Sequence, residues 1–176
     1  KNICTSRSFG KSVVAIDELK EAVSNYAGSC AYKLRKQKSC TTRISVFVHT
    51  NPFNPRDKQY KGVTSIRLES PTNDSIEITR LAIQALGKIY RPHYRYKKAG
   101  VIVTGIVPSK SKQMTLFDRE DYRHNLLMSS IDKIHQRYGP HKIKLANQDI
   151  NRTFKMKQTQ LSPRYTTDVR HIIKVK

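Results

Sequence analysis

The sequence predicts an α+β fold in which a four-stranded sheet carries two helices on one face, in the order β-α-β-β-α-β over roughly residues 5–107. Three observations predict this fold. Two segments place apolar residues at three- and four-residue steps, two shorter segments alternate apolar and polar residues, and a mostly apolar strand ends the pattern. Since each helix has one apolar stripe, packing both on the same face of the sheet buries both stripes and leaves the other face in water.

The first strand and helix occupy the start of the chain. Residues 5–14 form an extended segment around Phe9, and a helix is predicted over 16–38. The helix has acidic residues in its first turns and basic residues at its end, which complements the helix dipole. Its apolar stripe consists of Ile16, Leu19, Val23, Ala27, Cys30 and Leu34.

Strands are next predicted over 42–49 and 63–70, separated by a loop rich in proline and asparagine. Successive side chains on a strand point to opposite faces. In the first of these strands the two faces are Ile44, Val46 and Val48 against Arg43, Ser45, Phe47 and His49. In the second they are Thr64, Ile66 and Leu68 against Ser65, Arg67 and Glu69.

The second helix is predicted over 74–90, because Asp74 and Glu77 are spaced as in a capping box. Its stripe consists of Ile78, Leu81, Ala82, Ala85 and Ile89, and the fourth strand follows at 99–107. We therefore divide the chain into a sheet domain at 1–110, a linker at 111–118 and a C-terminal region at 119–176. That region is predicted to have a helix at 119–138, then an irregular basic tail. The helix stripe consists of Tyr122, Leu126 or Leu127, Ile131, Ile134 and Tyr138.

Charge is the strongest indication of function. The formal net charge is +21, and no acidic residue lies between Glu77 and Asp118. Such a charge favours a polyanionic partner, and in a single basic domain it is typical of nucleic-acid binding. A soluble basic protein with a solvated surface is the plainer alternative. A membrane surface is another polyanion, but no apolar run is long enough to span a bilayer and the N-terminus lacks an apolar signal segment.

Basic residues on or beside the predicted strands are the candidate DNA contacts. If they share the helix-free face, that face is an electrostatic platform that holds phosphates without reading sequence. The alternative is an edge strand protected by charge. The candidates are Arg7, Lys11, Arg43, Arg67, Arg95, Lys97 and Lys98, with the small residues Ser6, Ser8 and Gly10 interleaved in the first strand.

The segment Gln113-Met114-Thr115-Leu116-Phe117 is a candidate docking peptide. Adjacent Leu and Phe side chains in a polar stretch are exposed apolar anchors, which suit capture in an apolar groove of a partner. The alternative is a hydrophobic staple onto the helix that follows.

The sequence offers no catalytic motif and no metal site. Asp118, Glu120 and Asp121 fit a helix N-terminus better than a metal site, and no cysteine or histidine pair has zinc-ligand spacing. The odd number of cysteines is most simply explained by reduced thiols in a cytosol.

Three segments together resemble the C-terminal half of UmuC-type proteins of the Y family of translesion DNA polymerases. They are TSRSFGKSV at 5–13, QMTLFD at 113–118 and QLSPRYTT at 160–167. The resemblance covers nearly the whole chain. It implies that residues 1–110 are the little finger domain, with Ser8, Phe9, Gly10 and Lys11 on a strand that contacts template-primer DNA. It also implies that 113–117 docks on the β sliding clamp.

The resemblance further implies contacts of the C-terminal region with the UmuD′ dimer and the RecA filament, and a role in the SOS response in a bacterial cytoplasm. Finger, palm and thumb lie outside this chain, so polymerase activity and its Mg²⁺ would belong to the parent protein. This chain is then no enzyme and needs no cofactor. The rivals are a free-standing nucleic-acid-binding protein, such as an RNA-binding sheet, and an enzyme with acids gathered from distant loops.

Overall fold

The chain folds in the predicted order. The structure is a computed structural model, and it describes residues 1–111, 122–139, 142–148, 156 and 160–173. Strands and helices alternate as β1 (Ile3–Val13), α1 (Ile16–Lys36), β2 (Ser39–Thr50), β3 (Lys61–Thr72), α2 (Ser75–Ile89) and β4 (Tyr96–Pro108). A short 3-10 helix at Ser109–Ser111, the helix α3 (Tyr122–Tyr138) and a second 3-10 turn at Val169–His171 follow.

The four strands form one sheet in the order β1-β4-β2-β3, and all neighbours are antiparallel. The alternation predicted for β2 is confirmed. Ile44, Val46 and Val48 pair with Val103, Val101 and Ala99 of β4, and all six side chains are buried on the same face. The strands extend beyond the predicted limits because backbone pairing continues through polar residues that the apolar pattern does not mark.

Both helices pack on that face, as predicted. Asp74 caps α2, since its carboxylate accepts a hydrogen bond from the Ile76 N–H at 2.6 Å. In α2 the prediction is partly wrong, because Leu86 is fully buried whereas Leu81 is only partly buried. The helix α1 ends two residues early, at Lys36, because Lys38 adopts a left-handed φ of 53° where the chain turns into β2.

The helix α3 contacts α1, and its predicted face is only partly correct: Ile131 and Ile134 are partly buried. Leu126, Leu127 and Tyr138 are exposed, and Met128 is the side chain that is buried. Polar contacts determine the orientation of the helix. The Asp132 carboxylate accepts two hydrogen bonds from the Arg35 guanidinium at 2.7 and 2.8 Å.

Residues 142–148 also lie against α1. The Gln148 side-chain amide donates to the Ser24 carbonyl at 2.9 Å, close to the bare backbone of Gly28. The only regular element described in the tail is the 3-10 turn at Val169–His171, so the described residues there agree with the predicted irregular tail.

Candidate nucleic-acid interface

The surface of the sheet opposite α1 and α2 is called the open face here. Its residues follow from the strand register, because directly paired residues point to the same side of a sheet. They form four cross-strand rows: Ser8, Lys98, His49 and Lys61; Ser6, Gly100, Phe47 and Val63; Cys4, Ile102, Ser45 and Ser65; and Thr104, Arg43 and Arg67. No residue in these four rows is acidic, and the exposed Glu69 lies beyond them, two residues after Arg67 on β3.

The cations of the open face lie at its two ends. Lys98 and Lys61 flank His49 in one row, and Arg43 and Arg67 lie side by side in another. His49 lies six positions after Arg43 on β2, so the two rows are about 20 Å apart at ~3.4 Å per residue. The rows between them are small or apolar. The open face therefore has two separate cationic rows, and the two rows between them consist of small or apolar residues without charge.

His49 is sensitive to the charge around it. Partial burial lowers the pKa of this histidine, and the neighbouring Lys61 and Lys98 lower it further. The unbound protein thus keeps His49 neutral near pH 7. A phosphate placed between the two lysines would favour the protonated ring and raise this pKa.

Phe47, the aromatic residue in the middle of the open face, is used for packing. Its side chain is only 9% exposed, and a Cβ added to Gly100 would lie 2.5 Å from the ring. The ring therefore covers the bare glycine backbone of the neighbouring strand, and the His49 ring lies 5.1 Å from its centroid. An RNA-recognition sheet presents aromatic rings from its central strands to stack on bases. Phe47 is not presented in that way.

The structure brings together five of the predicted DNA-contacting residues. Ser6, Ser8, Arg43, Arg67 and Lys98 all belong to the open face. Sequence reasoning left His49 and Lys61 out of the candidate site. The signal was available for Lys61, which is an even number of residues from Ser65 and Arg67 and therefore shares their face.

Arg7 and Phe9 are corrections, because neither lies on the open face. Arg7 pairs with Ala99, whose side chain points to the helices. Burial raises the pKa of Tyr26 in α1 to about 12, and the positive charge of Arg7 partly opposes this shift. Phe9 is 1% exposed in the core. A register shift between Ser8 and Val13 follows, so simple alternation does not continue along β1.

The other predicted cations lie around the sheet edge and the loops. The Lys97 ammonium donates to the Gly10 carbonyl at 3.2 Å, which ties β4 to the irregular part of β1. Lys11 is exposed on that part of β1. Arg95 is largely exposed and forms an ion pair with Asp57 at 3.7 Å. The docking peptide 113–117 and the acidic group 118–121 lie outside the described residues.

Within the described residues, no group of three or more His, Cys, Asp or Glu side chains is placed to hold a metal ion. The described helices include none with the length and apolar character that a membrane span requires. The three cysteines are free thiols. Cys30 is buried, and its Sγ donates to the Thr5 hydroxyl at 3.3 Å.

Comparison with known proteins defines the family. The model of the impB/mucB/samB family C-terminal domain matches residues 1–116, and the chain belongs to this family. A second model, a domain of unknown function (DUF4113), matches residues 125–175. The resemblance predicted from the sequence is therefore confirmed.

Curated relatives match almost the whole chain. Protein UmuC of Salmonella typhimurium is 35% identical over 178 residues, which is 100% of this chain and 42% of that protein. Protein MucB of Escherichia coli is 37% identical over 174 residues, covering 98% of this chain and 41% of that protein. The chain thus spans about two fifths of the length of these relatives.

Among solved structures, a complex of beta-clamp processivity factor and little finger domain of PolIV is similar to this chain. The TM-score is 0.46 and the identity 12%, over 67% of this chain and 100% of that one. An insertion ternary complex of Dbh DNA polymerase matches with a TM-score of 0.42 at 10% identity, over 61% of this chain and 29% of that one.

Proposed function

We propose that this chain is the DNA-binding and clamp-docking part of an error-prone translesion DNA polymerase of the SOS response. The observation that carries the proposal is the open face, which has cations in two rows and no acidic residue in any row. Membership of the impB/mucB/samB family and the similarity to UmuC and MucB support the polymerase context.

The binding mode follows from the groups that the open face presents. Arg43, Arg67, Lys61 and Lys98 supply positive charge, and the serines between them supply small hydroxyl donors. Such groups suit phosphate oxygens, which position a duplex but carry no sequence information. We therefore expect binding to template-primer DNA that is independent of sequence and strongly dependent on salt.

Clamp docking rests on the sequence of residues 113–117. This peptide follows the 3-10 turn at Ser109–Ser111, shortly after β4 ends. In this proposal the Gln113 amide forms hydrogen bonds, and Leu116 and Phe117 fill an apolar cleft of the β sliding clamp.

The remaining assignments concern the parent protein. Polymerase catalysis and its Mg²⁺ belong to domains outside the open face and the docking peptide. The C-terminal region would contact the UmuD′ dimer and the RecA filament, and the complex would act in the bacterial cytoplasm. The exposed Leu126 and Leu127 of α3 are available to such protein partners.

The DNA-binding part is tested by the double substitution Arg43→Ala/Arg67→Ala. Affinity for duplexes of unrelated sequence should fall roughly tenfold or more, because charged hydrogen bonds to phosphate are lost. The slope of log affinity against log salt should become less steep by about 0.9 for each lost contact. Fluorescence anisotropy at several salt concentrations measures both quantities.

Arg80→Ala/Lys88→Ala is the matched control. It removes the same charge from exposed positions of α2, on the other side of the sheet. It should leave the slope nearly unchanged. Equal losses in the two double variants would mean that total charge, and not the open face, determines binding.

The clamp-docking part is tested by Leu116→Ala/Phe117→Ala. Removing both apolar anchors should abolish binding to the purified β clamp while leaving DNA affinity almost intact. Leu126→Ala/Leu127→Ala, on the exposed surface of α3, is the control and should bind the clamp normally. Surface plasmon resonance gives the comparison, and undiminished binding by the first variant would refute the docking role.

A further inference from the structure

The loop that joins β2 to β3, residues 51–60, carries an aromatic side chain that the proposed function does not use. Phe53 is 91% exposed, the largest value among the exposed apolar side chains of the described residues. An exposed phenyl ring has an unfavourable free energy of hydration, which a binding partner would relieve. The loop lies at the end of the sheet that carries the row of Ser8, Lys98, His49 and Lys61.

Hydrogen bonds fix the shape of this loop. The Gln59 side-chain Nε2 lies 3.0 Å from the backbone carbonyl oxygens of Asn51, Asn54 and Asp57, so its two N–H groups are shared among three acceptors. Its carbonyl oxygen accepts from the Thr50 hydroxyl at 3.1 Å. The Gln59 side chain thus links both ends and the middle of the loop by hydrogen bonds, so the loop is ordered before any partner binds.

The tip and the base of the loop are held as well. The Asn51 carboxamide oxygen accepts from the Phe53 N–H at 3.3 Å, which fixes the backbone that carries the ring. At the base, the Tyr60 hydroxyl donates to the Ile89 carbonyl at 2.8 Å, and the Arg91 guanidinium lies 4.4 Å from the Tyr60 ring centroid. Because the loop is already ordered, binding through Phe53 loses little conformational entropy.

The charges around Phe53 indicate the chemistry of its partner. Arg56 and Lys58 are exposed in the loop, and Lys61 is exposed where β3 begins. The one acid of the loop, Asp57, has a side chain only 12% exposed and is paired with Arg95 and the Asn54 amide. The loop therefore presents one aromatic ring in positively charged surroundings.

These surroundings favour a nucleic acid over a protein partner. The other exposed apolar groups of the loop are two prolines, so the apolar area is too small for the cluster that a protein interface needs. A single ring is enough for one nucleobase, and adjacent cations suit the phosphates on either side. Bases inside a duplex are already stacked, so the available base is an unpaired one.

We propose that Phe53 stacks on an unpaired base of single-stranded DNA, with Arg56 and Lys58 on the neighbouring phosphates. This site continues the proposed DNA surface beyond the duplex held by the open face, and it rests on DNA being the partner. The proposal also gives the chain a preference among DNA substrates: it binds a junction of duplex and single strand more tightly than a blunt duplex, which has no unpaired base for Phe53.

The experiment uses Phe53→Trp in the 176-residue chain. The sequence contains no tryptophan, so the emission of this variant reports on position 53 alone. A single-stranded oligonucleotide should quench the emission, and an oligonucleotide of the same length with abasic sites in place of bases should not. Equal emission changes with both ligands, or none with either, would overturn the stacking proposal.

Affinity provides the second readout. Phe53→Ala and Phe53→Leu should each weaken binding to a primer-template with a single-stranded overhang by roughly five- to a hundredfold, the range for loss of one stacked base. Affinity for a blunt duplex should stay within about twofold. Val169→Ala, which truncates a side chain that is 83% exposed in the tail, is the control and should change neither affinity.

The outcomes separate this inference from the proposed function. Unchanged overhang binding by Phe53→Ala, together with salt-dependent duplex binding, overturns the stacking site and leaves the open face in place. Equal losses on blunt and overhang DNA also overturn it, because a stacking site distinguishes the two. Failure of the wild-type chain to bind either DNA overturns both.

Discussion

The two faces of β2 differ in what they contribute to the molecule. On one face Ile44, Val46 and Val48 are fully buried beneath the helices. On the other face Arg43 is exposed and His49 is partly exposed. Alternation along a single strand therefore separates stability from binding: the first set holds the sheet to the helices, while the second remains available to a polyanion.

A second difference lies between the sheet domain and α3. The sheet and its helices are held by a continuous apolar core. The helix α3 buries Met128 but is oriented by ionic contacts, chiefly those between Asp132 and Arg35. Arg35 also donates to the Asn73 carbonyl and the Ser75 hydroxyl at 2.8 Å, so one guanidinium links three parts of the chain.

The largest expected effect on the open face comes from Gly100→Ala. The new methyl group would lie 2.5 Å from both the Phe47 ring and the Ser6 Cβ, so the ring must leave its position. We expect a loss of about 1–3 kcal/mol in the free energy of unfolding, as for other overpacked sites. Urea denaturation measures this loss.

Gly87→Ala is the matched control, since nothing lies within 4 Å of a Cβ at that helical position. It should raise the free energy of unfolding by about 0.5–1 kcal/mol. In the double variant Phe47→Ala/Gly100→Ala the two losses should be less than additive, because the ring is gone and only the Ser6 Cβ still clashes. Equal stability of the two glycine variants would show that Phe47 does not cover Gly100.

A smaller effect concerns pH. The lowered pKa of His49 leaves the ring neutral above about pH 6.5. If DNA phosphate raises this pKa, binding takes up a proton and affinity increases as the pH falls through the pKa of the bound state. A shift of half a unit gives about a threefold gain.

Lowering the pH has the opposite effect on folding: it decreases stability, whereas it increases DNA affinity. The unfolded chain binds the proton more tightly than the folded one, so the contribution of His49 to stability is present above about pH 6.5 and is lost as the pH falls towards the folded pKa.

DNA affinity of wild type and His49→Gln should be compared between pH 7.5 and 5.5 at constant ionic strength. Parallel pH profiles would rule out a phosphate beside His49.

The sequence alone predicted which residues lie on each face of a strand wherever apolar and polar residues alternate. In β2 and β3 apolar and polar residues alternate, so the faces of Arg43 and Arg67 could be assigned correctly. In β1 the polar residues on both sides of Phe9 do not mark which face is buried, and a register shift follows Ser8. The sequence therefore left open which face Arg7 occupies. Phe9 was named as a DNA contact from the resemblance alone, although it lies in the core.

Long-range polar contacts could not be predicted in the same way. Arg35 and Asp132 are 97 residues apart in sequence, and neither is marked by a motif. The apolar pattern of α3 therefore predicted its buried face only in part, since it included Ile131 and Ile134 but missed Met128. A loop over 51–62 was predicted from its prolines and asparagines, but the hydrogen bonds by which Gln59 closes it depend on distances that only the structure provides.

The most direct test compares Arg43→Ala with Arg7→Ala. Each variant removes one positive charge from an exposed arginine on a strand, but Arg43 lies on the open face and Arg7 on the helix side. Salt-dependent duplex affinity should show a slope less steep by about 0.9 for Arg43→Ala and almost no change for Arg7→Ala. Equal changes, or a larger one for Arg7→Ala, would contradict the assignment of DNA binding to the open face.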